Sequence, residues 1–159
     1  MSDVKDKVVL ILGCAGGIGS VTAKDLASKG AKIAVADINE AKAEDVARAI
    51  RNTGGESRVY PVDVTQKEQV RATVAKVAQD FGSLDTLINC AGIMFVRPLI
   101  EINTVEWETT VDLNIKGGAV GNRGCSAGFH APAARAYHQS QFHPRPQSVF
   151  ARRRGAFGF

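Results

Sequence analysis

The segment Gly13-Cys14-Ala15-Gly16-Gly17-Ile18-Gly19 has the residue types and spacing to bind a phosphate group. It follows the apolar, β-branched run Lys7 to Leu12 and precedes a pattern with helical periodicity. A bound pyrophosphate needs a tight turn with positive φ, a backbone without Cβ bulk, and free N–H groups at a helix N-terminus. Gly13, Gly17 and Gly19 can meet these needs. The alternative is a strand-to-helix turn in which the glycines serve only the chain reversal.

Asp37 stands 18 residues beyond Gly19, directly after a second apolar run, Lys32 to Ala36. A carboxylate at this place can accept hydrogen bonds from both hydroxyls of an adenosine ribose, and it repels a 2′-phosphate. The sequence therefore favours NAD over NADP, although the nearby cation Lys42 acts in the opposite sense. The alternative role for Asp37 is N-capping of the helix that starts near Ile38-Asn39, and the two roles can coexist.

Short apolar runs alternate with amphipathic patterns along the chain. The predicted strands are Lys7 to Leu12, Lys32 to Ala36, Ser57 to Val62 and Leu84 to Asn89. The predicted helices are Gly17 to Lys29, Glu40 to Arg51, Lys67 to Phe81, and a fourth that starts after Asn103 or Thr104 and reaches Asn114. This alternation predicts an α/β fold with a doubly wound parallel sheet.

The overall composition is that of a globular domain. The chain has 159 residues, of which 45% are hydrophobic and 23% charged, so a wholly disordered chain is excluded. No run reaches the roughly 18 apolar residues of a membrane span, and the N-terminus has no apolar signal segment. We therefore expect a cytoplasmic protein in which Cys14, Cys90 and Cys125 are reduced thiols.

The composition changes sharply near residue 117. Residues 1–116 contain 14 Lys and Arg against 16 Asp and Glu, whereas residues 117–159 contain six Arg, no Lys and no acidic residue. Leu, Ile and Met are also absent from residues 117–159. We therefore divide the chain into a domain of residues 1–117 and an Arg/Gly/Ala/Pro-rich tail of residues 118–159, for which we predict disorder or loose packing.

Four features in order resemble the short-chain dehydrogenases/reductases over about Lys5 to Gly117. They are the glycine motif, Asp63-Val64 after the third strand, Asn89-Cys90-Ala91-Gly92 after the fourth, and the helix that ends at Asn114. The resemblance implies an incomplete Rossmann-like sheet of about four strands in the order 3-2-1-4. It also implies a nicotinamide dinucleotide cofactor and hydride transfer between that cofactor and an alcohol or ketone.

The resemblance assigns roles to individual residues. It implies that Asp63 and Val64 contact the adenine and that Ile18 and Ile38 flank the nucleotide. The cofactor channel is lined by Asn89, Ala91 and Gly92. Asn114 matches the family's catalytic asparagine, which helps to hold a proton-relay water. Leu12 and Cys90 depart from the family's usual Thr and Asn, and Leu12 is expected to weaken cofactor affinity.

The remaining catalytic residues of the family, a Ser and a Tyr-x-x-x-Lys pair, have no match here. Tyr137 is followed four residues later by Gln141, Tyr60 lies on the third strand, and no lysine follows Lys116. Without a neighbouring ammonium a phenol keeps a pKa of about 10, too high for efficient proton transfer near neutrality. The sequence therefore predicts that the chain is catalytically inactive as written, with Asn114 as the sole matched member of the family's catalytic set.

A shift of reading frame near Gly117 accounts for the change in composition. Translated one base out of register, the codons from Tyr137 to Arg145 admit I-I-N-L-S-S-I-R-G, which resembles the family's fifth strand and active-site serine. The expected truncation leaves the fourth strand with an unpaired edge and an uncovered apolar face, so poor solubility is expected. The resemblance implies that full-length members form oligomers, but we do not extend this expectation to the present chain.

The alternative function is that of a non-catalytic NAD-binding module whose basic tail docks an acidic partner or nucleic acid. Arg152-Arg153-Arg154 could contact phosphates by charge alone, but the run lacks interleaved aromatic residues, so nucleic acid is not favoured. His130, His138 and His143 lie in the tail without the spacing of a metal site, and we expect no metal. Neither function involves a membrane.

Overall fold

The computed structural model describes residues 4–117 and 137–139. The strands are β1 (Val8–Leu12), β2 (Lys32–Asp37), β3 (Ser57–Pro61), β4 (Thr86–Asn89) and β5 (Tyr137–Gln139). The helices are α1 (Gly17–Ser28), α2 (Glu40–Asn52), α3 (Lys67–Phe81) and α4 (Thr104–Val111), with a 3-10 turn at Leu99–Glu101 and a π turn at Asp112–Lys116. Within the described residues, no helix is both long and apolar enough to cross a bilayer.

The strands form one parallel sheet in the order β3-β2-β1-β4-β5, which confirms the predicted order 3-2-1-4. The central strand is β1, whose last residue Leu12 is in register with Ala36 of β2 and Asn89 of β4. Because the strands are parallel, the segments that follow β1, β2 and β4 lie together at the carboxyl ends of the strands. The chain direction across the sheet reverses between β1 and β4, and ligands of such sheets bind at this switch point.

The expectation of an unpaired edge on β4 is wrong over the length of β5. Tyr137, His138 and Gln139 are in parallel register with Leu87, Ile88 and Asn89. The pairing covers three of the four residues of β4, so most of this edge is not open to another strand. Ile88 is half-buried, so the face of β4 is covered in part. The rest of the predicted disordered tail, residues 118–136 and 140–159, lies outside the described residues.

Two apolar layers cover the faces of the sheet. In one, Leu10 packs with Val74 of α3. In the other, the next residue along β1, Ile11, packs with Ala23 of α1 and Ile50 of α2. Successive strand residues face opposite sides, so the unbroken apolar run of β1 supplies both layers. Burial of each large aliphatic side chain contributes about 1.5–3 kcal/mol and fixes β1 at the centre of the sheet.

The beginning of α4 is held by a capping box. Asn103 Oδ1 accepts the N–H of Glu106 at 2.9 Å, and Glu106 Oε2 accepts the N–H of Asn103 at 3.4 Å. The other carboxylate oxygen of Glu106 pairs with Arg97 at 2.9 Å, which ties the preceding loop to the helix. The prediction of a helix from Asn103 or Thr104 to Asn114 is confirmed, with its last turn widened into the π turn that contains Asn114.

Candidate functional site

The glycine loop passes very close to the end of β4. Gly13 has a φ of +74°, and a Cβ built on it would lie 2.5 Å from the backbone nitrogen of Ala91 and 2.8 Å from the carbonyl carbon of Cys90. A Cβ on Gly19 would lie 2.4 Å from the carbonyl oxygen of Gly13. Backbone atoms cannot move aside as a flexible side chain does, so only glycine fits at both positions. The conformational and packing roles predicted for these two glycines are therefore present.

The first turn of α1 is open toward the solvent. Its N-cap is Gly16, and no side chain caps it. A Cβ built on Gly17 meets nothing within 4 Å. The first N–H groups of a helix have no intrahelical partner and carry partial positive charge. This turn can therefore donate hydrogen bonds to an anion that approaches from the open side.

Asp37, the last residue of β2, joins two turns. Its Oδ2 accepts the N–H of Ala15 in the glycine loop at 2.9 Å, and its Oδ1 accepts the N–H of Asn39 at 2.9 Å. The alternative role of Asp37 as a helix cap is wrong, because the N-cap of α2 is Asn39, whose side chain accepts the N–H of Lys42 at 3.0 Å. An Asn at the last position before a helix satisfies an otherwise unpaired amide of the first turn. Asp37 is therefore not needed as the cap, and its carboxylate bonds to the N–H groups of Ala15 and Asn39 instead.

The segments after β3 and β4 are braced by their own polar side chains. Asp63 Oδ1 accepts both the N–H and the hydroxyl of Thr65, at 2.9 Å and 2.7 Å. Asn89 Oδ1 accepts the N–H of Ala91 at 3.0 Å, and the Asn89 side chain is buried. Leu12 is also buried, and its carbonyl accepts the N–H of Cys90 at 2.8 Å. Backbone pairing thus joins β1 to the β4 turn at the position where the family's Thr is replaced.

Asn114 is bound on both sides to the backbone of one residue. Its Oδ1 accepts the N–H of Ile93 at 2.9 Å, and its Nδ2 donates to the carbonyl of Ile93 at 2.8 Å. Gly92 lies close by, since a Cβ on it would be 3.1 Å from Asn114 Oδ1. The side chain of Asn114 therefore fastens the π turn to the chain that leaves β4.

These segments surround a cleft of about 560 Å³ at the carboxyl edge of the sheet. Of the residues that the sequence singled out, the cleft is lined by Gly13, Asp37, Ile38, Lys42, Asp63, Val64, Ala91 and Gly92. The remaining ones are not part of its lining: Gly17, Ile18, Gly19, Asn89 and Asn114. Gly19, Asn89 and Asn114 instead hold the walls in place through the contacts given above.

The sequence analysis assigned no role in the site to several lining residues, although some of them stand within its motifs. They are Ala15, Gly16, Asn39, Val62, Thr65, Cys90, Thr109, Asp112 and Leu113. Most are neighbours of predicted residues along the chain. The wall from α4 and the following π turn is different, because Asp112 and Leu113 lie three and four residues after Thr109 and share one helix face with it. This spacing can be seen in the sequence, but the sequence does not show which part of the molecule this helix face lies against.

The cleft contains more acidic than basic side chains among its lining residues. Its lining includes three carboxylates, those of Asp37, Asp63 and Asp112, and one ammonium, that of Lys42. Asp112 pairs with Lys116, and this hydrogen bond raises the pKa of Lys116. A cation adjoining the cleft is therefore already engaged in an ion pair. The charge balance favours ligands that offer hydroxyl or amino donors at this part of the cleft.

Cys14 lies behind the glycine loop and is completely buried. Burial raises the pKa of its thiol to about 12, and the neighbouring Cys90 and Asp37 add to the effect. Its Sγ lies 3.8 Å from the carbonyl oxygen of Gly19, which it can reach as a donor only when protonated. The thiol is a packing group of the loop rather than a nucleophile.

We therefore expect Cys14 to resist alkylation in the folded protein. At pH 8 about one thiol in ten thousand is ionised when the pKa is near 12, and burial excludes the reagent as well. Iodoacetamide labelling followed by peptide mass spectrometry checks this, with the same protein in urea as the control. Labelling of Cys14 in buffer at the rate found in urea would contradict the burial of this thiol.

Comparison with known proteins identifies the fold and the loop together. The model of the short chain dehydrogenase family matches residues 7–131. The chain belongs to the short-chain dehydrogenases. The match to this dehydrogenase family runs past residue 117, so its end does not coincide with the change in composition.

Curated and solved relatives agree with the family. This short-chain dehydrogenase chain is 37% identical over 113 residues to the short-chain reductase protein NovJ of Streptomyces niveus, covering 71% of this chain and 43% of the relative. It is 37% identical over 127 residues to the D-threitol dehydrogenase of Mycolicibacterium smegmatis, covering 77% and 49%. The chain thus spans about half the length of the curated relatives it matches.

The structural likeness has the same extent. A short chain dehydrogenase from Mycobacterium avium superimposes with a TM-score of 0.74 at 28% identity, over 80% of this chain and 47% of that one. A dehydrogenase from Burkholderia cenocepacia with bound NADP gives a TM-score of 0.71 at 32% identity, over 79% and 49%. The short-chain dehydrogenase fold of this chain, and with it a dinucleotide-binding sheet, is thereby shown.

Proposed function

We propose that this chain is the cofactor-binding half of an NAD-preferring short-chain dehydrogenase. The observation that carries the proposal is the cleft in which Gly13, Asp37, Asp63 and Ala91, all from different strand ends, meet beside the open first turn of α1. The residues present fit the cofactor. The helix turn can donate to a pyrophosphate, and Asp37 can accept from ribose hydroxyls. When bound, NAD supplies a nicotinamide ring that accepts or donates hydride.

The proposed preference for NAD rests on the charges near the end of β2. Asp37 and Lys42 both line the cleft, and Asp37 is the nearer to the glycine loop because it bonds to Ala15. A 2′-phosphate placed beside this carboxylate is repelled, and like charges in contact cost several kcal/mol. Lys42 offers partial compensation. NADP is bound in the relative from Burkholderia cenocepacia, so both cofactors belong in the test.

Titration calorimetry of the full chain with NAD and NADP tests this proposal. We expect NAD to bind more tightly by about tenfold or more at an ionic strength of about 0.1 M. Lys42→Ala should weaken NADP binding more than NAD binding, whereas Lys29→Ala, which removes an exposed cation at the C-cap of α1, should leave the ratio of the two affinities unchanged. Tighter binding of NADP by the wild-type chain refutes the preference, and absence of binding by either cofactor refutes the proposal.

We further propose that this chain by itself does not catalyse hydride transfer. The residues that line the cleft offer backbone groups, carboxylates, small hydroxyls, the Lys42 ammonium, the Asn39 amide and the Cys90 thiol but no phenol, and the sequence has no Tyr-x-x-x-Lys. Tyr60 is buried with its hydroxyl donating to Asp80 at 3.0 Å, an arrangement that raises its pKa. The complete dehydrogenase would act on an alcohol or ketone.

A shifted reading frame after Gly117 is our proposed origin of the tail. Support comes from β5, since residues 137–139 lie beside β4 and are the ones for which the shifted frame admits Ile-Ile-Asn. Sequencing the gene from the codon for Asn114 to well past that for Phe159 and translating all frames tests it, because the shifted frame reaches no Tyr-x-x-x-Lys before Phe159. A frame that continues into a Ser and a Tyr-x-x-x-Lys supports the shift. Absence of these residues from every frame refutes it.

A second candidate function is a non-catalytic NAD-binding module whose basic tail docks an acidic partner. The charge of the chain favours it, because residues 117–159 carry six arginines and no acidic side chain. Deletion of residues 118–159 should then abolish salt-sensitive binding to a polyanion such as heparin while NAD binding persists. Equal heparin binding by both chains refutes this candidate. We also propose a cytoplasmic location, in keeping with the reduced thiol of the buried Cys14.

A further inference from the structure

The carboxylate of Asp37 connects the ends of two neighbouring strands. One oxygen accepts the N–H of Ala15, two residues after Gly13, and the other accepts the N–H of Asn39. Both distances are 2.9 Å, within the range of charge-assisted hydrogen bonds. The Asp37 side chain is half-buried, so water competes only in part for these bonds. The glycine loop is thus bonded to β2 by a side chain from outside the loop.

Besides the Asp37 bond at Ala15, the loop is joined to β2 at the adjacent Cys14, whose N–H donates to the carbonyl of Ala36 at 3.1 Å. Within it, the N–H of Gly16 donates to the carbonyl of Gly13 at 3.2 Å, and the N–H of Ser20 donates to Gly16 at 2.9 Å. Two of the four residues between β1 and α1, Gly13 and Gly16, are glycine, which loses more conformational entropy on ordering than any other residue. A bond that fixes Ala15 therefore restricts the turn that leads into α1 and its open amides.

We infer that Asp37 is a positioning residue for the pyrophosphate loop, in addition to its part in ribose recognition. This inference rests on the proposed NAD site. The two roles are compatible because each carboxylate oxygen has two acceptor sites, one of which remains for a ribose hydroxyl. Asp37 holds the Ala15 amide inward, and the turn then presents the N–H groups at the start of α1 to the diphosphate.

If Asp37 positions the loop, its removal should weaken binding of a ligand that has no ribose hydroxyls. If Asp37 only recognises the ribose, its removal should not weaken that binding. If Asp37 served only the ribose, its removal would delete a negative charge near the diphosphate and leave binding of such a ligand equal or tighter. If Asp37 also positions the loop, its removal loosens the phosphate-binding turn. Binding of the same ligand then becomes weaker, against the electrostatic trend.

Calorimetry with two ligands tests this difference. The probes are NAD and its analogue with a 2′,3′-dideoxyadenosine ribose, each titrated into the full wild-type chain and into Asp37→Ala. We expect Asp37→Ala to bind the dideoxy analogue about tenfold more weakly than the wild type does, the loss expected for one hydrogen bond to a charged group. Equal or tighter binding of the analogue by Asp37→Ala overturns the inference.

Amide hydrogen exchange provides a readout that needs no nucleotide. In the full chain we expect exchange at the Ala15 N–H to be faster by about tenfold or more in Asp37→Ala than in the wild type. Asp63→Ala is the matched control, because it removes a carboxylate that lines the same cleft but bonds to Thr65. Unchanged exchange at Ala15 in Asp37→Ala, or an equal change in Asp63→Ala, overturns the inference.

Asp37→Asn keeps the experiment decisive if Asp37→Ala does not fold, which circular dichroism reports. An amide retains one acceptor oxygen, so it can keep one of the two backbone bonds and should restore part of the protection at Ala15 or at Asn39. Wild-type protection at both amides in Asp37→Asn overturns the inference. Failure of the wild-type chain to bind NAD refutes the proposed function instead, because the exchange measurement stands without a ligand.

Discussion

Replacement of Gly13 by alanine is expected to destabilise the domain by about 2–5 kcal/mol. A left-handed backbone costs a residue with a Cβ about 1–2 kcal/mol, and overpacking against fixed atoms costs about 1–3 kcal/mol more. Here the φ is +74°, and the added Cβ would meet three backbone atoms of Cys90 and Ala91 within 2.8 Å. Urea unfolding followed by circular dichroism measures the loss as a lower midpoint with an unchanged slope.

Gly17→Ala is the matched control for this prediction. It lies in the same loop, but its Cβ would meet nothing within 4 Å, and its φ is not positive. Alanine also favours a helix by up to about 1 kcal/mol over glycine, so the stability of Gly17→Ala should equal or exceed that of the wild type. If Gly13→Ala and Gly17→Ala unfold at the same urea concentration, the contact between the loop and the β4 turn is not what constrains Gly13.

Replacement of Asn114 by alanine is expected to cost about 2–3 kcal/mol. Each hydrogen bond contributes about 0.5–1.5 kcal/mol net, and an abandoned, partly buried backbone group adds a desolvation penalty. Asn114→Ala removes the bonds at 2.9 Å and 2.8 Å to the N–H and the carbonyl of Ile93. Urea unfolding gives the total, and amide exchange at Ile93 should accelerate, which localises the loss to the chain after β4.

Thr109→Ala serves as the comparison for Asn114→Ala. Thr109 lies on the same helical segment, but it is exposed and its hydroxyl donates only to Val105 one turn earlier. Its removal should change stability by less than about 0.5 kcal/mol. Comparable losses in Thr109→Ala and Asn114→Ala would mean that Asn114 contributes only to helix formation and does not join the π turn to Ile93.

Much of the fold and part of the site could be predicted because the signals are local. The apolar run of β1 indicates a strand buried on both faces, and the glycine motif after it indicates a turn into a helix. Asp37 was placed at the cleft by its position at the end of β2. Each inference needs only a short window of sequence, in which periodicity and glycine content directly reflect backbone geometry.

The roles of Asn89 and Asn114, which lie beside the cleft, were harder to infer from the sequence. The place of Asn89 in the cofactor channel stays a prediction, and the structure adds that its side chain is buried and accepts the N–H of Ala91. The match of Asn114 to a residue that helps to hold a water stays a prediction, and the structure adds that its side-chain oxygen and nitrogen both bond to Ile93. An amide side chain can donate and accept with equal ease, so its partner depends on which backbone groups the fold brings near.

The sequence by itself determined the order of strands and helices, the need for glycine at residues 13 and 19, and a carboxylate after β2. Only the tertiary structure decided that β5 pairs with β4, that α4 forms a wall of the cleft, and that Asp37 bonds to Ala15. The physical reason is distance along the chain. Asp37 and Ala15 are 22 residues apart, and Asn114 and Ile93 are 21 apart. Such contacts form only after the sheet has brought separate strand ends together, so no local pattern encodes them.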